Sequence, residues 1–211
     1  AEHANGSEQF VGDVTELAIA EMIRSGTTTF SDMYLFPNVC AAAAQRLGMR
    51  CQIAFPILDF PTAWGKDADD YISKGLALRD DFKHSTLVTV VFGPHAPYTV
   101  CEANLAKIAT IAAELDTAIH IHLHETPGEV LQAVEQNGER PLDTLQRLGL
   151  LGPRTQCVHM TDLGEQDIAL LAATGTHVVH CPQSNMKLAS GTCRVNDLLA
   201  NGLNVALGTD S

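Results

Sequence analysis

The sequence is short of basic residues: 13 Lys and Arg stand against 25 Asp and Glu, for a formal charge of −12. Such a chain repels phosphate backbones and anionic membrane surfaces on average, and no Lys/Arg run supplies a local exception. A nucleic-acid polymer is therefore not an expected partner. No apolar stretch approaches the roughly 18 residues that would read as a membrane-spanning helix, and residues 1–6 are not signal-like. The cysteines at 40, 51, 101, 157, 181 and 193 contain no C-x-x-C pair, which removes the usual spacing signal of a zinc ribbon or a redox dithiol. Cys51, Cys157 and Cys181 fall within apolar runs, where a reduced thiol packs as a small hydrophobe. Free thiols suit an intracellular, cytoplasmic protein. Internal repeats, linkers and low-complexity segments are also missing.

What is present is an ordinary globular composition, 45% hydrophobic and 18% charged over 211 residues, enough to bury one full core. β-rich runs at 27–33, 50–57, 87–92, 118–123, 155–159, 177–181 and 204–207 alternate with stretches of helical periodicity. Leu105, Ile108, Ala112 and Leu115 share a stripe of one helix, and Leu142, Leu145 and Leu148 of a shorter one. Gly26, Gly48, Gly138, Gly175 and Gly202 fall where helices should end, Asn38 is a candidate N-cap, and Pro141 suits a first turn. Residues 59–70, with Pro61, Gly65 and the single Trp64, read as a loop leading into a helix. Repeated βα units predict a parallel sheet, and periodicity leaves both a closed barrel and a doubly wound sheet open. A (β/α)8 barrel typically takes about 250 residues and eight strands, so one strand is expected to be missing.

The polar residues sharpen this. Chemistry in parallel α/β barrels sits at the carboxyl ends of strands. There the sequence places Asp32, His95, His122 with Glu125, His159, His180 and Asp210. One such histidine is commonly structural; several in register are not, because buried ionisable groups cost energy unless paired or ligated. In Ile-His-Ile-His-Leu-His-Glu (119–125), alternation sets His120, His122 and His124 on one face. His120 is placed to fill an interior layer and His124 to belong to the rim. Asp32 closes a turn or orients a neighbour. His180, Ser184 and Asn185 shape the loop after their strand without binding metal. Trp64 either stacks on the flat face of a ligand or anchors its loop.

Gly-Pro-His-Ala-Pro-Tyr-Thr (93–99), His-Leu-His-Glu-Thr (122–126), Cys-Val-His (157–159), His-Cys-Pro-Gln-Ser-Asn-Met-Lys-Leu (180–188) and Gly-Thr-Asp-Ser (208–211) occur in this order. Together with Gly-Thr-Thr-Thr-Phe-Ser-Asp-Met-Tyr (26–34), this set resembles the amidohydrolase superfamily. The likeness is to the branch of 5-methylthioadenosine/S-adenosylhomocysteine deaminases and related triazine hydrolases. The resemblance implies a (β/α)8 metal-dependent hydrolase barrel, here incomplete, with residues 1–211 forming part of the catalytic barrel. By that resemblance His122 and Asp210 bind metal, expected as Zn²⁺ with Fe²⁺ or Mn²⁺ as alternatives. Glu125 shuttles a proton to a ring nitrogen, His159 orients the attacking water, and Asp210 also takes a proton from it. His95 and Glu125 contact substrate, and Glu2 matches a glutamate that holds ribose hydroxyls.

The family also places a His-x-His pair on its first strand, and none precedes residue 27. We therefore expect true termini beyond both ends, with that strand and the flanking β-sandwich outside this sequence. The implied activity is hydrolytic deamination of a 5′-modified adenosine, methylthioadenosine or S-adenosylhomocysteine, in nucleoside metabolism. The alternatives are an s-triazine chlorohydrolase or aminohydrolase, a guanine-type deaminase, and a non-catalytic barrel scaffold. The family likeness also suggests a homo-oligomer.

Overall fold

The computed structural model describes residues 6–210. Two compact units make up the chain, the first ending at Gly93 and the second beginning at Pro94. In the first, helix α1 (Glu8–Arg24) starts at Ser7, whose hydroxyl accepts the Phe10 N–H at 3.2 Å. Strand β1 (Thr29–Asp32) pairs in parallel with β2 (Arg50–Ile57), setting Phe30 opposite Cys51 and Asp32 opposite Ile53. Between them lies α2 (Pro37–Leu47), which buries Cys40, Ala41, Ala43 and Ala44. Its start differs from the expected Asn38 cap. Pro37 already occupies the first turn and Phe36 is the N-cap, with φ of 56°, because proline's fixed φ suits that first position.

Helix α3 (Ala68–Asp81) is capped by Asp67, whose carboxylate accepts the Asp70 N–H at 2.9 Å. It lays Tyr71, Ile72 and Gly75 inward, and β3 (Val88–Pro94) follows. Ile53–Ile57 is buried at every position, the pattern of a parallel strand covered on both faces. Trp64 is 9% exposed and packs 5.8 Å from Tyr71, while its carbonyl accepts from Lys74. The ring anchors the loop.

The second unit continues the alternation. Helix α4 (Glu102–Glu114) buries Leu105, Ile108 and Ala112, and Leu115 becomes its C-cap. Strand β4 (Ile119–Leu123) is followed by α5 (Pro127–Asn137) and α6 (Pro141–Arg147), the latter opening on Pro141 and burying Leu142 and Leu145. Then come β5 (Thr155–His159), α7 (Glu165–Thr174), β6 (His177–His180), α8 (Pro182–Lys187), α9 (Val195–Ala200) and β7 (Val205–Leu207). Strands β4 to β7 are hydrogen-bonded neighbours in sequence order, all parallel. Gly48, Gly138 and Gly175 end their helices with φ of 74°, 76° and 71°, a left-handed turn that costs other residues more. Parallel βα units in sequence order, seven strands among the described residues, are an incomplete (β/α)8 pattern.

Candidate active site

The carboxyl ends of β4, β5 and β7 bring together His122, His159 and Asp210. One ligand atom from each lies within 4.8 Å of the others. Register explains the first two: Leu123 faces His159 across the β4–β5 pair, so neighbouring strands end at the same level. The backbone then leaves the sheet sharply. His124, His159, Met160 and Asp210 have φ of 49°, 79°, 51° and 54°. Left-handed backbone at non-glycine residues costs of order 1–3 kcal/mol each and collects where function requires it.

Each histidine ring is oriented through its Nδ1. That of His122 donates to the His95 carbonyl at 2.8 Å, which also accepts the His122 backbone N–H at 3.1 Å. A carbonyl can only accept, so Nδ1 carries the proton and Nε2 keeps its lone pair. His159 Nδ1 lies 3.0 Å from Asn185 Oδ1, and its Nε2 is 3.8 Å from Asp210 Oδ2. Ser184 Oγ donates to the same Asp210 oxygen at 2.6 Å. Burial pushes the His122 pKa down, and the neighbouring His159 adds to this. A neutral imidazole with a free Nε2 is the form that binds a cation.

Two imidazoles and a carboxylate with free ligand atoms suit Zn²⁺, and their outer nitrogens are already occupied as such a site requires.

His95 lines up beside them, its ring 5.1 Å from that of His122. Thr99 Oγ donates to the Ala96 carbonyl, so it must accept from His95 Nδ1 at 2.9 Å, leaving Nε2 unprotonated. Burial, with His122 nearby, pushes the His95 pKa down to about 4. Glu125 sits three residues past His122, and its Oε2 accepts from the Tyr98 hydroxyl at 3.3 Å. Glu129 accepts the Glu125 N–H at 2.7 Å and the His124 N–H at 3.2 Å, while Thr126 Oγ accepts the Glu129 N–H at 3.1 Å. The turn carrying Glu125 is thereby tied to the first turn of α5. Burial raises the Glu129 carboxyl to about 7.

Other expected positions resolve differently. His120 fills a layer below His122, with ring centroids 6.0 Å apart and its pKa pushed by burial to about 3. His124 does not share their face. Alternation ends with β4 at Leu123, and the turn sends the ring away, fully buried, to the Asp162 carbonyl and the Leu142 N–H. Asp32, at the end of β1, is tied to Cys40, and burial raises its pKa. Glu2 lies outside the described residues. Sequence reasoning assigned no role to Tyr98, Thr99 or Glu129. Only Glu129 carried a local signal, the Thr126-x-x-Glu spacing of a capping box. Ser184 and Asn185 were expected to shape a loop; they reach Asp210 and His159 directly.

A model of the amidohydrolase family matches residues 3–211. A 5-methylthioadenosine/S-adenosylhomocysteine deaminase of Saccharophagus degradans is 57% identical over 203 residues, 96% of this chain and 46% of that protein. The same-named protein of Teredinibacter turnerae is 56% identical over 203 residues, with the same coverage of each. The chain thus spans about half the length of these curated relatives. Among solved structures, a zinc-bound adenosine deaminase of Xanthomonas campestris matches all of this chain and 48% of its own, at a TM-score of 0.97 and 46% identity. With the family model covering nearly every residue and relatives above 55% identity over 96% of its length, the chain belongs to the amidohydrolase family.

Proposed function

We propose that the complete protein hydrolytically deaminates a 5′-modified adenosine, methylthioadenosine or S-adenosylhomocysteine, to the inosine analogue and ammonia, and that residues 1–211 are part of its catalytic barrel. The observation that carries this reading is the convergence of His122, His159 and Asp210 within 4.8 Å, with Glu125 on the adjoining turn. The names borne by relatives above 55% identity support the substrate class.

His122 and Asp210 are the metal ligands in this reading, with Zn²⁺ the expected ion, as in the Xanthomonas structure. A divalent cation held there supplies Lewis acidity and makes water acidic enough to ionise near neutral pH. The chain's own groups do the rest. Asp210 takes the proton of the attacking water and then gives it to the amine, which departs as ammonia while the C–N bond breaks. His159, its Nε2 beside Asp210, orients that water towards the ring carbon bearing the amine. Glu125 gives a proton to the adjacent ring nitrogen, which makes addition at that carbon favourable. Transfers of this kind are worth about 10²–10⁴-fold each. His95 contacts the substrate through its unprotonated Nε2, and Glu2 holds the ribose hydroxyls. The expected setting is cytoplasmic, consistent with six cysteines of which none forms a disulfide; no helix among the described residues is long and apolar enough to cross a membrane. A homo-oligomer is the expected assembly.

Ammonia release from methylthioadenosine, S-adenosylhomocysteine, adenosine, guanine and a chloro-s-triazine by the zinc-loaded full-length protein tests the proposal. Preference for the 5′-thio adenosines is the expected result. Turnover of the triazine or guanine alone would keep the hydrolase chemistry and overturn the substrate.

A further inference from the structure

We propose that Ser184 and Asn185, adjacent on the short helix α8, are positioning residues that hold two parts of the proton machinery. Asn185 selects the tautomer of His159, and Ser184 occupies one oxygen of Asp210. The inference rests on the deaminase reading of this site and adds what sets its geometry.

Both side chains are almost wholly buried, 3% and 2% exposed. The turn that carries them is fixed independently of the site. Pro182 stands in its first turn, the Asn185 N–H donates to the Cys181 carbonyl at 2.9 Å, and the Leu188 N–H donates to Ser184 O at 2.9 Å. Beyond it, the Ser190 N–H returns to Asn185 O at 3.0 Å, and Ser190 O accepts from Thr161 Oγ at 3.0 Å. Thr161 follows β5 by two residues, so the turn is pinned to the segment just past His159. Rigid support of this kind is what a group needs if it is to aim another.

The chemistry of the pair follows from donor and acceptor counting. Asn185 Oδ1 at 3.0 Å can only accept, which places a proton on His159 Nδ1, so that the neutral ring presents Nε2 as a lone pair towards Asp210. The Nε2–Oδ2 separation of 3.8 Å is too long for a direct hydrogen bond, leaving both atoms to act on a third group. An aspartate at 185 would also accept from Nδ1, but it would add a negative charge beside the ring that faces Asp210. The amide fixes the tautomer without that charge. Its Nδ2 is buried and makes no hydrogen bond among the described residues. A purely structural asparagine rarely leaves a buried donor unfilled, since that costs about 1–3 kcal/mol. Ser184, for its part, donates to Asp210 Oδ2 and leaves Oδ1 free of it.

The test uses the zinc-loaded full-length protein labelled with 15N-histidine, the His159 signals being assigned by their loss in His159→Gln. The expected wild-type spectrum shows a protonated Nδ1 and an unprotonated Nε2. In Asn185→Leu the two shifts should converge towards a tautomer mixture. Its kcat should fall about 10–100-fold, the usual cost of losing an outer-shell partner, with KM within about threefold. Asn185→Asp should keep the Nδ1–H pattern, and Ser184→Ala should lower kcat with little change in KM. A protonated Nε2 in the wild type, or His159 shifts unmoved in Asn185→Leu, would overturn the assignment. So would a kcat within about twofold of wild type in that variant. The wild-type spectrum alone decides the tautomer if Asn185→Leu does not fold. Because the spectra require no substrate, failure of the deaminase reading would show separately, as no turnover of any purine by the wild type.

Discussion

Asp32 and Asp210 stand at comparable places, one ending β1 and the other three residues past β7, and they meet different chemistry. Around Asp32 the first unit offers burial and thiols. Its carboxyl is tied to Cys40 and its pKa is raised, and together burial and this carboxyl push the Cys51 thiol up to about 12. Around Asp210 the second unit offers a hydroxyl donor at 2.6 Å and an imidazole nitrogen at 3.8 Å, with the side chain still 26% exposed. The position of an acid at a strand end therefore does not decide its role. What decides it is the surroundings: at Asp32 burial favours the neutral acid and outweighs the Cys40 hydrogen bond, whereas Asp210 stays partly exposed beside a hydroxyl donor and an imidazole nitrogen.

The largest test of that contrast is a matched pair of substitutions in the full-length protein. Asp210→Asn should lose bound zinc and lower kcat by about 10³-fold or more, since a metal ligand and a proton acceptor go together. Asp32→Asn replaces an acid that burial favours as neutral with its neutral near-isostere, and activity should stay within about threefold of wild type. Zinc content and kcat measured on both variants decide it. Equal losses in the two would break the distinction between the units.

Much of this contrast was legible beforehand because strand ends leave a strong signal. His122 and His159 stand at the ends of short β-rich runs and Asp210 follows one, and the run boundaries agree with the strands to within two residues. The (β/α) order was visible for the same reason. His124 was misjudged: alternation holds only while the backbone is extended, and a φ of 49° at that residue is invisible to periodicity. Asn185 and Ser184 were placed near the site but not against it. Their partners lie 26 residues away in each case, and no local pattern encodes a contact at that separation. Glu129 lay between these extremes, its capping spacing readable and its grip on the Glu125 turn not.

Glu129 offers the next sharpest test, because it is a carboxyl of the second unit that burial nevertheless treats as the first unit treats Asp32. Its pKa is raised from 4.5 to about 7, chiefly by burial, against the lowering effect of three backbone N–H groups. A carboxyl whose pKa is higher in the folded state stabilises the protein most at low pH. That contribution fades as pH rises above the ordinary carboxylate range and is gone above the folded value. Wild type should therefore lose stability relative to Glu129→Gln between about pH 4.5 and 7, by on the order of 3 kcal/mol. Urea midpoints of the two proteins across that range measure it. A difference that stays flat with pH would mean that the N–H groups hold the carboxylate ionised, aligning Glu129 with Asp210 instead of Asp32.

The smallest effects separate packing from function in the two units. A Cβ at Gly75 would lie 2.1 Å from Phe55 Cδ2, and the Phe55 ring is fully buried and packed 4.9 Å from Phe92. A Cβ at Gly208 would lie 2.9 Å from Cys181 Sγ and 3.1 Å from Val179 Cγ1. Alanine normally gains about 1 kcal/mol over glycine inside a helix, but overpacking a buried ring costs about 1–3 kcal/mol, so Gly75→Ala should lower Tm. Its kcat and KM should not change, since nothing it displaces belongs to the site. Gly208→Ala presses on the residue that opens α8 and lies two residues before Asp210. It should therefore lower kcat as well as Tm, by about tenfold if Ser184 or Asn185 is carried off its partner. Thermal melts and kinetics on the folded fraction distinguish the two. If Gly75→Ala also lowered kcat, the first unit would be shaping the site, and Asp32 would have to be reconsidered with it.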